Sequence, residues 1–378
     1  MKHRSKLLCI FAMLMGCASA SYPQPLQAPP GFYQTVEMKT KAGYRCYAEP
    51  SPFTDDLMLK SKYTGDHSGS RSKINKAAYK SYKDAVENTR ALETLAHRYS
   101  KDFIKGYTQQ SRDCFYRVLE HWADAGALLH PQSNQVGQAV RKWTNASVGS
   151  VYLLMKNSDS KLPAPNPKQQ EKIENWMRDM AHQIVMFYTD REPRKINNHD
   201  YWAGYSVAIS SVILQDHELY QWSMKKFQEG LERVRPTGFM EHEIKRGRLA
   251  LKYQNFAIQP MVMLAAYAKA NKTITQQQID QLDRAIATLV AGIEDPSIFE
   301  KEVGVTQETD GLLKGWSLAW VPVWDMYFNS KTTDTLQDQV NGPFKSKRLG
   351  GDMSWLFNEQ LFSQQRIQKQ IDSEYKSV

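Results

Sequence analysis

Two short segments of this 378-residue chain carry residue types suited to proton-transfer chemistry on an acidic substrate. The first, Lys195-Ile196-Asn197-Asn198-His199-Asp200-Tyr201-Trp202, stands just before an apolar-periodic stretch, at a predicted helix start. An Asn or Asp there can simply cap the helix. Alternatively, carboxamide, imidazole and helix N-terminal amides converge on an anion. The second, FMEHEIKRGRLALKY from Phe239 to Tyr253, packs Lys245, Arg246, Arg248 and Lys252 closely together. Such a cluster is ordinarily a solvated face. Tyr253, however, follows Arg246 by seven residues. In a helix this spacing puts both side chains on one face, roughly 10 Å apart along the axis. A cation for a carboxylate would then stand beside a phenol able to move a proton. Gly247 weakens the expectation of an unbroken helix there.

The elements that must position these residues read as helices. Ala78, Tyr82, Ala85, Leu92, Ala96 and Tyr99 form one long stripe, and Val118, Trp122, Ala125 and Leu129 another. Similar stripes run through Val140 to Leu154, Ile173 to Ile184, Trp202 to Val212, Leu219 to Phe227, Met261 to Tyr267 and Ile279 to Leu289. Pro131, Pro163, Pro165, Pro193 and Pro236 punctuate them, and alternating β-branched runs are scarce. Helices joined by short links pack as antiparallel hairpins. The predicted class is all-α, and an incomplete α/α barrel, or toroid, closes this many hairpins naturally. Periodicity does not separate it from a superhelix. Residues 21–60, rich in Pro and aromatics, read as an irregular strap, and 61–71, SKYTGDHSGSR, as a surface loop.

Composition limits the function classes. With 41% hydrophobic and 24% charged residues and a mean hydropathy of −0.58, the chain is neither disordered nor a multi-span membrane protein. Residues 1–20 read as an export signal: basic Lys2, Arg4 and Lys6, an apolar Leu7 to Met15, then Ala18-Ser19-Ala20. Lipoprotein anchoring through Cys17 is the weaker reading, since Met15 fits a lipobox poorly. Without the signal, 46 Lys and Arg face 40 Asp and Glu, a charge of +6 that favours acidic partners. Cys46 and Cys114 are then the only cysteines, and in an exported chain they are expected to pair. No histidine or cysteine spacing suits a metal, so neither metal nor cofactor is expected.

The motifs NNHDYW, GFMEHEIKRGRLALKYQNFA, SKYTG and RLGG (Arg348 to Gly351), in this order, resemble the mannuronate-specific alginate lyases of exported bacterial type. The resemblance spans nearly the whole mature chain, taken as one domain over 21–378. It implies an α/α toroid and cleavage of β-1,4-linked D-mannuronate by β-elimination. It also implies a catalytic set of Asn198, His199, Arg246 and Tyr253. Lys62 and Tyr63 match a loop that closes over substrate, which makes 61–71 a lid, and Arg348 matches a groove-lining cation. Trp202 is added as a substrate-binding aromatic. The implied partner is an anionic polysaccharide, alginate or polymannuronate, rather than nucleic acid or a membrane span. The alginate-export machinery joins it where relatives serve secretion, and the implied location is the periplasm.

The chemistry accounts for these residue types. Arg246 and Asn198 neutralise the uronate carboxylate so that a dianionic enolate becomes tolerable. In mannuronate H5 and O4 lie on one side of the ring, so Tyr253 can serve as base and then acid. His199 is either a third carboxylate partner or the base. Two rivals stand: a non-catalytic alginate-binding protein using the same cations, and a glycan hydrolase using two of Asp200, Glu241 and Glu243.

Overall fold

The computed structural model describes residues 24–63, 73–158, 162–340 and 342–358. The predicted export signal, Cys17 and most of the predicted lid lie outside them.

The chain is helical, as the periodicity predicts. The first stripe is two helices, α1 (Lys76–Ala85) and α2 (Glu87–Ile104), broken at Val86. The second, α3 (Thr108–Asp124), ends before Leu129, because Gly126 and Leu128 both take positive φ. Then follow α4 (Gln135–Asn157), α5 (Pro167–Tyr188), α6 (Asn198–Leu214) and α7 (His217–Leu231). After a four-residue α8 (Glu241–Ile244) come α9 (Ala250–Ala270), α10 (Gln276–Glu294) and α11 (Ser297–Val303). Short helices α12 (Asp334–Gln337) and α13 (Met353–Leu356) lie further on. Before α13, β1 (Lys345–Ser346) pairs antiparallel with β2 (Gly351–Asp352).

Burial sorts these helices into two classes. α2, α3, α5, α7 and α10 bury one stripe each, whereas α4, α6 and α9 are buried on nearly every face. A helix apolar all round belongs inside. α6 accordingly packs against α4, α5, α7 and α9. Polar side chains cap the turns between hairpins, Asn134 starting α4, Asn166 α5, Asp216 α7 and Thr275 α10. The arrangement is the expected α/α toroid.

The strap is irregular, as its prolines suggest, and it is tied down along its length. Leu26 exchanges backbone hydrogen bonds with the Gln215 carboxamide after α6, and the Leu57 amide donates to Gln132 O at 2.9 Å. Cys46 and Cys114 form a disulfide between the strap and α3, with Cα atoms 5.5 Å apart.

Candidate active site

The start of α6 divides its work between two kinds of residue. Asn197 is the N-cap, and with Asp200 it forms a capping box. The Asn197 carboxamide accepts from the His199 amide at 3.0 Å, and Asp200 accepts from the Asn197 amide at 3.0 Å. Asp200 is wholly buried and paired with Arg191 at 2.6 Å. The capping reading thus holds for Asn197 and Asp200, and their work leaves the side chains of Asn198 and His199 for other tasks. The alternative reading, in which the first amides of this helix meet an external anion, does not hold. The Asn198 amide donates to Glu243 Oε1 at 2.7 Å, and the His199 amide is spent on the cap.

Asn198 and His199 are each held from behind. The Asn198 carboxamide donates to Glu243 Oε2 at 2.8 Å, and its Oδ1 is buried without a protein partner. Glu243 is buried, which pushes its carboxyl up to about 7 against the opposing pull of the two Asn198 donors and Arg246. His199 Nδ1 lies 3.1 Å from the ammonium of Lys142 on α4. Withdrawal from solvent, and then the cations Lys142, Arg191, Arg246 and Arg348, hold this imidazole well below its ordinary pKa.

Arg246 and Tyr253 come together by another route than the predicted helical face. α8 ends at Ile244, and Gly247 takes φ +54° in a turn that precedes α9. A left-handed φ is the conformation glycine tolerates best. This reversal brings Arg246 Cζ to 3.7 Å from the centre of the Tyr253 ring. The other cations of the cluster pair elsewhere, Lys245 with Glu241 at 4.0 Å and both Arg248 and Lys252 with Glu308. Those three are the solvated face that charge clusters usually make.

Tyr63 closes the other side. Its hydroxyl shares a hydrogen bond of 3.2 Å with Tyr253. Lys62 Nζ stands 4.9 Å from the Tyr63 ring centre. Burial pushes the Tyr253 phenol up, and this outweighs the pull of Arg246 towards phenolate. In Tyr63 burial also opposes ionisation, but the bond to Tyr253 and the charges of Lys62 and Arg246 together overcome it. The two hydroxyls titrate as a pair, with Tyr63 drawn down and Tyr253 pushed up.

A cationic and aromatic wall completes the site. Arg348 Cζ lies 3.8 Å from the Trp143 ring centre, Trp143 is 6.0 Å from the His199 ring, and Phe256 is 6.4 Å from Tyr253. Arg348 sits in a 3-10 turn between β1 and β2. Gly350 and Gly351 follow with φ near +120° and pack so closely on Phe32 and His97 that a Cβ would crowd both. The RLGG motif is therefore a device for pressing this turn onto the core. Sequence reasoning missed Trp143, Phe256 and Lys142. Lys142 left one usable trace, a cation inside an otherwise apolar helix.

Trp202 does not belong to the substrate-facing set. It is fully buried, and its indole donates to Phe256 O at 3.2 Å. The reason lies in α9. Pro260 is four residues on, inside the helix, and has no N–H to give that carbonyl. Trp202 supplies the missing donor and so holds Phe256 in place. Among the described residues, no group of three or more His, Cys, Asp or Glu could hold a metal ion.

A family model described as "Alginate lyase" matches residues 58–299. These residues include Lys62, Tyr63, Asn198, His199, Arg246 and Tyr253. The chain belongs to the alginate lyase family. An alginate lyase of Azotobacter chroococcum mcd 1 is 32% identical over 95% of this chain and 97% of its own length. One from Pseudomonas fluorescens is 33% identical over 92% and 94%. Among solved structures, alginate lyase A1-III from Sphingomonas species A1 superposes with a TM-score of 0.70 at 22% identity, over 88% of this chain and 91% of its own. A variant of alginate lyase A1-III complexed with tetrasaccharide gives 0.72 at 23% identity, over 85% and 88%. These likenesses share the toroidal fold described above.

Proposed function

We propose that this member of the alginate lyase family is an exported polysaccharide lyase that cleaves alginate at β-1,4-linked D-mannuronate by β-elimination. The observation that carries the reading is the hydrogen-bonded pair Tyr63 and Tyr253 under the Arg246 guanidinium, beside Asn198 and His199. Arg246 and Asn198 would meet the uronate carboxylate and offset the charge that builds as C5 loses its proton. Tyr253 cannot take that proton while holding its own. Tyr63 lies 3.2 Å away, and its phenolate form would draw the phenol proton as H5 is transferred. The C4–O4 bond then breaks, a C4–C5 double bond forms, and Tyr253 returns a proton to O4. Lys62 and Arg348 would hold neighbouring carboxylates, and Trp143 and Phe256 would face the sugar rings.

A hydrolase needs two carboxyl groups across the scissile bond. Asp200 is committed to Arg191 and Glu243 to Asn198, both fully buried. Glu241 is the only carboxylate of the three with substantial exposure. Action in the periplasm rests on the export signal and is consistent with the disulfide. The decisive experiment incubates the protein separately with polymannuronate and polyguluronate. The expected result is ultraviolet absorbance from unsaturated ends and shortened chains on polymannuronate. Shortening without absorbance would mean hydrolysis, and unchanged chain length would leave only binding.

A further inference from the structure

Lys142 is wholly enclosed between α4, α5 and α6, yet it is a cation by type. Its ammonium reaches three atoms: the Tyr188 hydroxyl at 2.8 Å, the His199 backbone carbonyl at 2.7 Å and His199 Nδ1 at 3.1 Å. A lysine ammonium has three N–H donors and no acceptor. Three acceptors therefore satisfy it completely, and Nδ1 must be one of them. The carbonyl can only accept in any case. If burial removes the lysine proton, the amine keeps two N–H groups and one lone pair: Nδ1 accepts where the Tyr188 hydroxyl donates to that lone pair, and donates where the hydroxyl accepts instead. The charged lysine is the state that admits a single imidazole tautomer.

We propose that Lys142 is a positioning residue that fixes His199 as its Nε2–H tautomer. A neutral imidazole whose Nδ1 is engaged from behind has only an N–H to offer in front. His199 then serves as a hydrogen-bond donor to the uronate carboxylate and is no candidate base, which leaves proton abstraction to the Tyr63–Tyr253 pair. The surrounding charges act in the same direction. Arg191 with its partner Asp200, Arg246 between α8 and α9, and Arg348 beyond β1 lie around His199 together with Lys142, and the four cations disfavour an imidazolium. Tyr188 on α5 stays a neutral phenol, because burial raises its pKa. The inference rests on the proposed carboxylate-facing role of His199, but the tautomer is measurable without any substrate.

The test is a two-bond proton–nitrogen NMR correlation on the full chain labelled with [15N]histidine, with His199 assigned by loss of its signals in His199→Gln. The expected pattern is Nε2–H, unchanged from pH 5.5 to 8. In Lys142→Met, which keeps the bulk and removes the donors, His199 should populate Nδ1–H or titrate nearer 6.5, and kcat/KM on polymannuronate should fall at least tenfold. A wild-type Nδ1–H or imidazolium pattern overturns the proposal, whether or not Lys142→Met folds. An Nε2–H pattern that survives Lys142→Met unchanged overturns the role of the lysine. Absence of activity on polymannuronate with the expected tautomer would count against the proposed function alone.

Discussion

Arg246 Cζ lies 3.7 Å from the centre of the Tyr253 ring and 5.6 Å from that of Tyr63, so one guanidinium serves both phenols of the pair. Its field favours phenolate in either, while burial opposes it. Tyr63 is drawn down and Tyr253 pushed up, and in the proposed reaction Tyr253 is the one that meets the reacting atoms.

Removing either hydroxyl should therefore have distinct signatures. Tyr253→Phe should reduce turnover on polymannuronate by at least a thousandfold while polymer binding persists. Tyr63→Phe should retain some turnover, with the acidic limb of its kcat/KM profile moved to higher pH. The base must be deprotonated to act, and without Tyr63 the ionisation falls on a phenol that burial has raised. A limb that stays in place, measured by initial rates from pH 6 to 10, would exclude the pair as the titrating unit.

Arg348→Ala should raise KM for polymannuronate more than it lowers kcat. Arg348 stacks on Trp143 at 3.8 Å, and its contribution would be to carboxylates flanking the cleaved bond. Added salt should weaken wild-type binding more than that of the variant, since screening acts on the lost charge. Equal salt slopes in titrations with an oligomannuronate would remove Arg348 from the groove.

Glu243 predicts a pH dependence of stability. Its folded pKa of about 7 exceeds the ordinary carboxyl value of 4.5. Between those values the folded protein binds more protons than the unfolded chain, so stability falls as pH rises through this window. The loss approaches about 3 kcal/mol above pH 7. Glu243→Gln should flatten this part of the curve, measured as the urea midpoint from pH 4.5 to 7.5. An identical slope in the variant would assign the effect elsewhere.

Reduction of the Cys46–Cys114 bridge frees a loop of 68 sequence positions. Loop entropy gives a loss of about 4 kcal/mol. The double serine variant should unfold at lower urea with its helical signal otherwise intact. A midpoint unchanged by the substitution would mean that the strap is secured by its hydrogen bonds alone.

Trp202 and Pro260 offer a double-mutant cycle. Trp202→Phe leaves the Phe256 carbonyl without its donor and should cost about 1–3 kcal/mol. In a Pro260→Ala background residue 260 regains an N–H for that carbonyl, so the same substitution should cost less. Additive effects would show that the indole contributes packing only.

The helical architecture was legible because burial on one face leaves a period that sequence preserves, as in Ile173 to Ile184 of α5. The proposed catalytic quartet came from family motifs, not from spacing. Arg246 and Tyr253 do lie together, but a turn at Gly247 and not a continuous helix joins them. Trp143, Phe256 and Lys142 stayed hidden because their roles depend on which helices are neighbours in space. Trp202 misled for a related reason. An aromatic next to a reactive motif looks like a sugar platform until the proline four residues beyond its partner is seen to need a donor.

The cap on α6 has a consequence for how this chain can vary. Asn197 sets where the helix begins, and each residue of a helix turns the next by about 100°. A single insertion or deletion between Asp190 and Asn197 that moved the cap by one position would swing every side chain of the first turn around the axis. His199 would turn away from Lys142, and Asn198 from Glu243. The linker can thus exchange its exposed Glu192, Arg194 and Lys195 for other surface residues at small cost, while its length is held fixed by the phase of the helix it launches.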